Sequence, residues 1–143
     1  KGVIKNFPLL ATVNRVLKVT GGSGKDTQFD SLTGDFKIAG GKAHSDNINL
    51  KAGEMTVHGA GDIGFNLILD IKGRIVFSPE KTQELVHSVG ELSSLVNQKG
   101  RLVLPLVISG SVDNPSINID IKDLLKKKLQ KDLKDKLLQK LFG

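Results

Sequence analysis

The hydrophobic positions change period along this chain, and each change marks an element. Leu9, Leu10, Val13, Val16 and Leu17 follow the i, i+3/i+4, i+7 spacing of a helix buried on one side. That helix opens at Phe7-Pro8, and Gly21-Gly22-Ser23-Gly24 predicts its end. A polar loop leads to Phe29, after which the period drops to 2. Phe36 and Ile38 alternate with polar neighbours, and Gly40-Gly41 supplies the positive-φ pair of a tight hairpin. Ile48 and Leu50 belong to the next strand, which Ala52-Gly53 turns. Met55 and Val57 follow, and Gly59-Ala60-Gly61-Asp62 predicts a further turn. Ile63, Phe65, Leu67, Leu69, Ile71, Ile75 and Phe77 then predict one long strand, with Gly73 the gap in its odd-numbered face. One greasy and one wet face is the signature of an antiparallel sheet.

Ser78-Pro79 reads as an N-cap followed by proline in the first turn. The predicted helix runs to about Asn97, with Leu85, Val89, Leu92 and Val96 on one stripe, and Gln98-Lys99-Gly100 ends it. Leu102, Leu104, Leu106, Ile108 and Val112 alternate again, and Pro105 on the other register predicts an edge position or a bulge. Asp113-Asn114-Pro115-Ser116 is a turn, Ile117, Ile119 and Ile121 form a short strand, and a terminal helix follows. The expected fold class is α+β: a curved antiparallel meander with one apolar face and two to three helices at its ends or on that face. Without an internal linker, residues 1–143 read as one domain.

Charge changes the picture at the C-terminus. The chain of 143 residues carries a net +6. Eight lysines (122, 126, 127, 128, 131, 134, 136, 140) against three aspartates (123, 132, 135) give residues 122–142 +5 of it. A basic tail points to nucleic acid, an anionic membrane surface or an acidic partner. Nucleic acid fits poorly, since the tail has no arginine and no aromatic residue except Phe142. The plainer reading is a solvated helix face. Leu125, Leu129, Leu133, Leu137 and Leu141 recur every four residues, so their stripe winds around the helix, while Leu124, Leu138 and Phe142 lie roughly opposite. One strip is expected to pack on the domain. The other, with Lys126, Lys127, Lys128, Lys131 and Lys134 as membrane-contact candidates, is expected to meet anionic lipid; the competing expectation is a helix that caps the sheet.

Candidate chemistry is sparse. The absence of cysteine excludes disulfides and thiolate catalysis. The longest apolar stretch, residues 102–108, is interrupted by Pro105 and is too short to span a bilayer. Residues 1–5 lack the apolar core of a signal peptide, and the start without Met suggests a piece of a longer protein. Gly59-Ala60-Gly61-Asp62-Ile63-Gly64 matches G-x-G-x-x-G, but that fingerprint needs a helix leaving the turn, and here a strand leaves. Residues 21–25 resemble a phosphate loop yet lack its first glycine and its Ser/Thr magnesium ligand. His44, His58 and His87 have no partners at metal-ligand spacing, and nothing favours Asp62 with Asp70 as an acid–base pair. No enzyme activity, cofactor or metal is expected.

The apolar sheet face remains, with over twenty side chains, each worth roughly 1.5–3 kcal/mol when buried. Something must cover it. Either the helices seal it as an ordinary core, or a curved sheet holds acyl chains with helices closing only one end. Periodicity leaves both open.

The order of these pieces resembles the C-terminal region of the AsmA-like family of bacterial envelope proteins. The matching runs are Gly2-Val3-Ile4-Lys5-Asn6 before Leu9-Leu10, Phe29-Asp30-Ser31-Leu32 before Asp35-Phe36-Lys37-Ile38-Ala39-Gly40-Gly41-Lys42, and Val57-His58-Gly59-Ala60-Gly61-Asp62-Ile63. The most specific is Leu104-Pro105-Leu106-Val107-Ile108-Ser109-Gly110-Ser111-Val112-Asp113-Asn114-Pro115. The resemblance implies a periplasm-facing protein, anchored in the inner membrane, with a long apolar β-groove similar to those of bridge-like lipid transfer proteins. It implies phospholipid traffic toward the outer membrane in support of outer-membrane biogenesis, with acyl chains and an anionic membrane surface or an outer-membrane protein as partners. The lipid-facing candidates are then Ile63, Phe65, Leu67, Leu69, Ile71, Leu102, Leu104, Leu106, Ile108, Ile117 and Ile119. The alternative expectation is a structural or docking module that carries no lipid.

Overall fold

The computed structural model describes residues 2–4, 7–17 and 26–142, without the side chains of Leu10, Asp123, Lys127, Lys128, Leu129, Asp132 and Phe142. The expected helix stop at residues 21–24 and the loop at 21–25 lie outside the described residues. The fold is α+β and built on antiparallel pairing, with no closed barrel. A short ribbon pairs β1 (Gly2–Ile4) with β2 (Thr27–Phe29), flanking α1 (Leu9–Leu17). The main sheet contains β3 (Ser31–Thr33), β4 (Lys37–Ala39), β5 (Lys42–Ala52), β6 (Met55–Gly64), β7 (Leu69–Phe77), β8 (Val103–Gly110) and β9 (Pro115–Asn118). Its order is β3-β5-β6-β7-β8-β9, and β4 also pairs with β5. Between β7 and β8 lie α2 (Pro79–Ser88) and a 3-10 turn (Gly90–Leu95), and α3 (Lys122–Phe142) closes the chain.

The period-2 reading holds for the central strands with one relocated turn, but the last strand is β9 at residues 115–118. Pro115 and Ser116, expected in the turn, pair with Gly110 and Ser109, and Ile119 and Ile121 lie beyond the strand. Gly59-Ala60-Gly61-Asp62 is no turn: β6 runs straight through it, paired with residues 70–73 of β7. The chain reverses instead at residues 65–68, where the Leu67 N–H donates to the Gly64 carbonyl and the Ile68 N–H to Asn66 Oδ1. The G-x-G-x-x-G match therefore sits inside a strand, with no helix to receive a phosphate. The predicted hairpin at Gly40-Gly41 forms, with both residues at positive φ (60° and 77°).

A bulge in β5 sets the faces. Ser45 pairs with Gly61 but Ile48 with Gly59, so β5 carries one residue more than β6 over this stretch. The inward side of β5 thus switches from Ile48 and Leu50 to Ser45 and Ala43, and His44 turns to the polar face. Asn47 fastens the bulge: its Nδ2 donates to Asp35 Oδ2, its Oδ1 accepts from the Asp35 N–H, and its own N–H donates to Ser45 Oγ.

Pro105 occupies a stretch of β8 that pairs with β7 but not with β9, the edge position its missing N–H requires. The predicted helix to Asn97 breaks at Val89 (φ −133°) before Gly90, and Val96 bridges Leu102 beyond it. Ser78 caps α2 as expected, accepting from the Lys81 N–H at 3.1 Å. Thr82 Oγ1 then accepts from the buried Leu102 N–H at 2.8 Å, tying α2 to the lead into β8.

Leu9, Val13 and Leu17 of α1, with Leu85, Leu92 and Leu95 from α2 and the 3-10 turn, are buried in the same cluster as Met55, Val57, Ile75, Phe77, Leu102 and Leu104. The helices thus cover the half of the apolar face nearest the β5–β6 turn and the end of β7. Among the described residues no helix lines the other half. Among the described residues no helix is long and apolar enough to cross a membrane.

Candidate functional site

The uncovered half of the sheet forms a groove of about 540 Å³, within the ~300–1,000 Å³ of ordinary ligand clefts. Its floor comes from the inward positions of the central strands: Gly59 and Ile63 of β6, Leu69, Ile71 and Gly73 of β7, and Leu106 and Ile108 of β8. One wall is Leu32, Gly34, Phe36 and Ile48; the other is Val112 and Pro115. Ile4 and Phe7, with Leu50 and Val57, meet it where the helix-covered core begins. Among the described residues no helical one lines it. Of the described lining residues only Thr33 carries a polar side-chain atom, and none carries a charge.

Five of the eleven lipid-facing candidates line the groove: Ile63, Leu69 and Ile71 are half-buried there, while Leu106 and Ile108 line its floor from within the buried core cluster. The other six lie elsewhere. Leu102 and Leu104 are fully buried in the helix-covered core, because β8 begins beneath α2. Phe65 and Leu67 stand on the β6–β7 turn, Phe65 being 64% exposed. The odd-numbered register that assigned them to the face ends at the relocated turn. Ile117 packs against the core, and Ile119 lines a separate cleft between α1, the 3-10 turn and the start of α3. Leu32, Ile4 and Phe7 are groove residues that the pattern did not single out. Leu32 belongs to a three-residue strand, too short for alternation to reveal.

Among the described residues the groove brings no catalytic constellation together, and a polar cluster lies on the opposite side of the sheet. There His44 Nδ1 meets Asp62 Oδ1 at 2.7 Å and its Nε2 meets Asp46 Oδ1 at 2.8 Å. Carboxylates only accept, so the geometry calls for two N–H donors, the imidazolium form. The hydrogen bond to Asp62, then that to Asp46, raises the His44 pKa above its ordinary 6.5. The same bond from His44, with a second from Lys42, lowers Asp62 below its ordinary 3.8. Asp70 faces Asp62 across β6 and β7, but Asp62 is already engaged by His44 and Lys42. His58 Nδ1 donates to Asn49 Oδ1 at 2.6 Å. Among the described residues no group of His, Cys, Asp or Glu is arranged to hold a metal ion.

Of the membrane-contact candidates, Lys126, Lys131 and Lys134 are exposed on α3, and the side chains of Lys127 and Lys128 lie outside the described residues. Comparison with protein-family models, curated proteins and solved structures found no match.

Proposed function

We propose that this chain is a lipid-binding module whose open β-groove takes a phospholipid acyl chain. The carrying observation is the uncovered half of the apolar face, a groove whose described lining residues include no charged side chain and one hydroxyl. A hydrocarbon tail gains free energy from every apolar area it removes from water, and such a surface asks nothing polar in return. A headgroup finds water at the exposed rim. Combined with the AsmA-like order of motifs, the groove reads as one segment of a bridge-like conduit for phospholipid between inner and outer membranes, acting in the periplasm.

The test is lipid extraction and mass spectrometry on the purified chain, followed by titration with a phospholipid bearing a fluorescent acyl chain. Acyl lipid is expected to co-purify. Ile71→Asp and Ile63→Asp place a charge on the groove floor and should weaken probe binding by about tenfold or more. Val107→Asp, on the opposite face of β8, should bind as the wild type does. A folded chain that yields no acyl lipid and binds no probe overturns the reading in favour of a docking module.

A further inference from the structure

We propose that the outer half of α3 rests on an anionic lipid surface, with its leucines at the acyl boundary and its lysines among the headgroups. The two halves of this helix behave differently. At the start, Leu124 and Leu125 pack against the domain core, and the Leu125 N–H donates to the Ile121 carbonyl. From Gln130 to Leu141 every described side chain is exposed. Four of these are leucines: Leu133 (55%), Leu137 (61%), Leu138 (43%) and Leu141 (74%).

Helical geometry explains the split. At 100° per residue, spacing by four drifts by about 40° each time, so the leucine stripe turns as it climbs. Leu133, Leu137, Leu141 and Leu138 fall within an arc of about 140°, centred about 150° from Leu125. The strip that packs and the strip that is left over therefore face different ways. Asp135, Lys136 and Gln139 occupy the far side of the outer half. Lys140 and Lys131 border the strip, and Lys134 lies within it on a stem long enough to lift its ammonium clear.

Charge selects the occupant. α3 has eight lysines, three aspartates, no arginine and no glutamate. A second copy laid strip to strip would press these lysines together, and a nucleic acid would satisfy the charge but not the leucines. An anionic bilayer satisfies both, because apolar side chains enter the boundary region while each lysine gains from the surface potential. This inference is independent of the groove.

The experiment is flotation of the full chain with phosphatidylcholine vesicles and with mixed phosphatidylcholine–phosphatidylglycerol vesicles, at low and high salt. The wild type should float with the mixed vesicles, not with the neutral ones, and salt should release it. Lys131→Gln, Lys134→Gln and Lys140→Gln should each cost about fivefold in partitioning. A combined Leu133→Ser, Leu137→Ser, Leu141→Ser variant should be lost from vesicles while its circular dichroism and melting match the wild type. Ile71→Asp should float normally, which separates failure here from failure of the groove. Equal recovery on both vesicle types, or on neither, overturns the proposal. So does a wild-type dimer in sedimentation that the triple leucine variant dissolves, since the strip would then be a self-contact.

Discussion

Gly59 of β6 and Gly73 of β7 face each other across the groove floor, and only Gly59 has room for a side chain. A Cβ on Gly73 would overlap the His58 carbonyl oxygen and stand 2.8 Å from Gly59 Cα. A Cβ on Gly59 would press on a side-chain methyl, Ile71 Cγ2, at 3.3 Å and stand at ordinary contact distance, 3.6 Å, from the Lys72 carbonyl oxygen. The first contact is with backbone and the second with a movable side chain, so the two glycines should respond differently to substitution.

Gly73→Ala forces two strands apart and should destabilise the chain by about 2 kcal/mol or more in urea denaturation. Gly59→Leu should fold, at a cost of about 1–2 kcal/mol, and place its side chain where an acyl chain would lie. Its affinity for a fluorescent phospholipid should fall by more than its stability accounts for.

Leu67 adopts φ 67°, a left-handed conformation rare for a leucine, at an exposed turn beside the groove's outer end. Its N–H donates to Gly64 and its carbonyl accepts from the Val112 N–H at 2.8 Å, which holds it there. The conformation costs about 1–2 kcal/mol, part of which Leu67→Asn should recover as a higher melting temperature. If the side chain guides acyl chains into the groove, the same variant takes up phospholipid more slowly. Melting and uptake then move in opposite directions.

Thr82 is buried and its hydroxyl accepts the Leu102 N–H, whose residue is fully buried. Thr82→Val keeps the shape and orphans that donor, for a loss of about 1–3 kcal/mol. Thr82→Ser should retain most of the stability. Guanidinium unfolding of the two variants distinguishes the hydrogen bond from simple packing.

The ion pair of His44 with Asp62 has a sign that can be worked out on both sides. His44 has a raised pKa, so its contribution is complete below 6.5 and fades as pH climbs through the folded-state value. Asp62 has a lowered pKa, so its contribution is complete above 3.8 and fades as pH drops through its folded-state value. Between about pH 4 and 6.5 both are in force. Histidine titration by NMR should show His44 above its ordinary value, and Asp62→Asn should bring it down. Both groups are partly solvated, so the effect on melting should be small.

Much of this was legible in the residues. The alternation of Ile48 and Leu50, of Met55 and Val57, and of Leu102 to Ile108 correctly placed those side chains on one face. The glycines at 59 and 61 misled, because a glycine pair signals a turn and a close approach of strands equally well. The true turn, Phe65-Asn66-Leu67-Ile68, has neither glycine nor proline. Its one local signal is Asn66, whose side chain replaces a backbone acceptor. Gly90 was the corresponding signal for the break in the second helix, overridden by the stripe through Leu85, Val89 and Leu92.

The sequence by itself determined that one side of the sheet is apolar, since side chains along a strand must alternate and these alternate by character. It also determined that the last helix carries lysines and winding leucines. Only the tertiary structure decided that the helices cover the Met55–Phe77–Leu102 half of that side and leave the Gly59–Ile63–Ile71 half open. Coverage depends on where helices distant in sequence land against the strands, and periodicity within a segment carries no information about its distance from another.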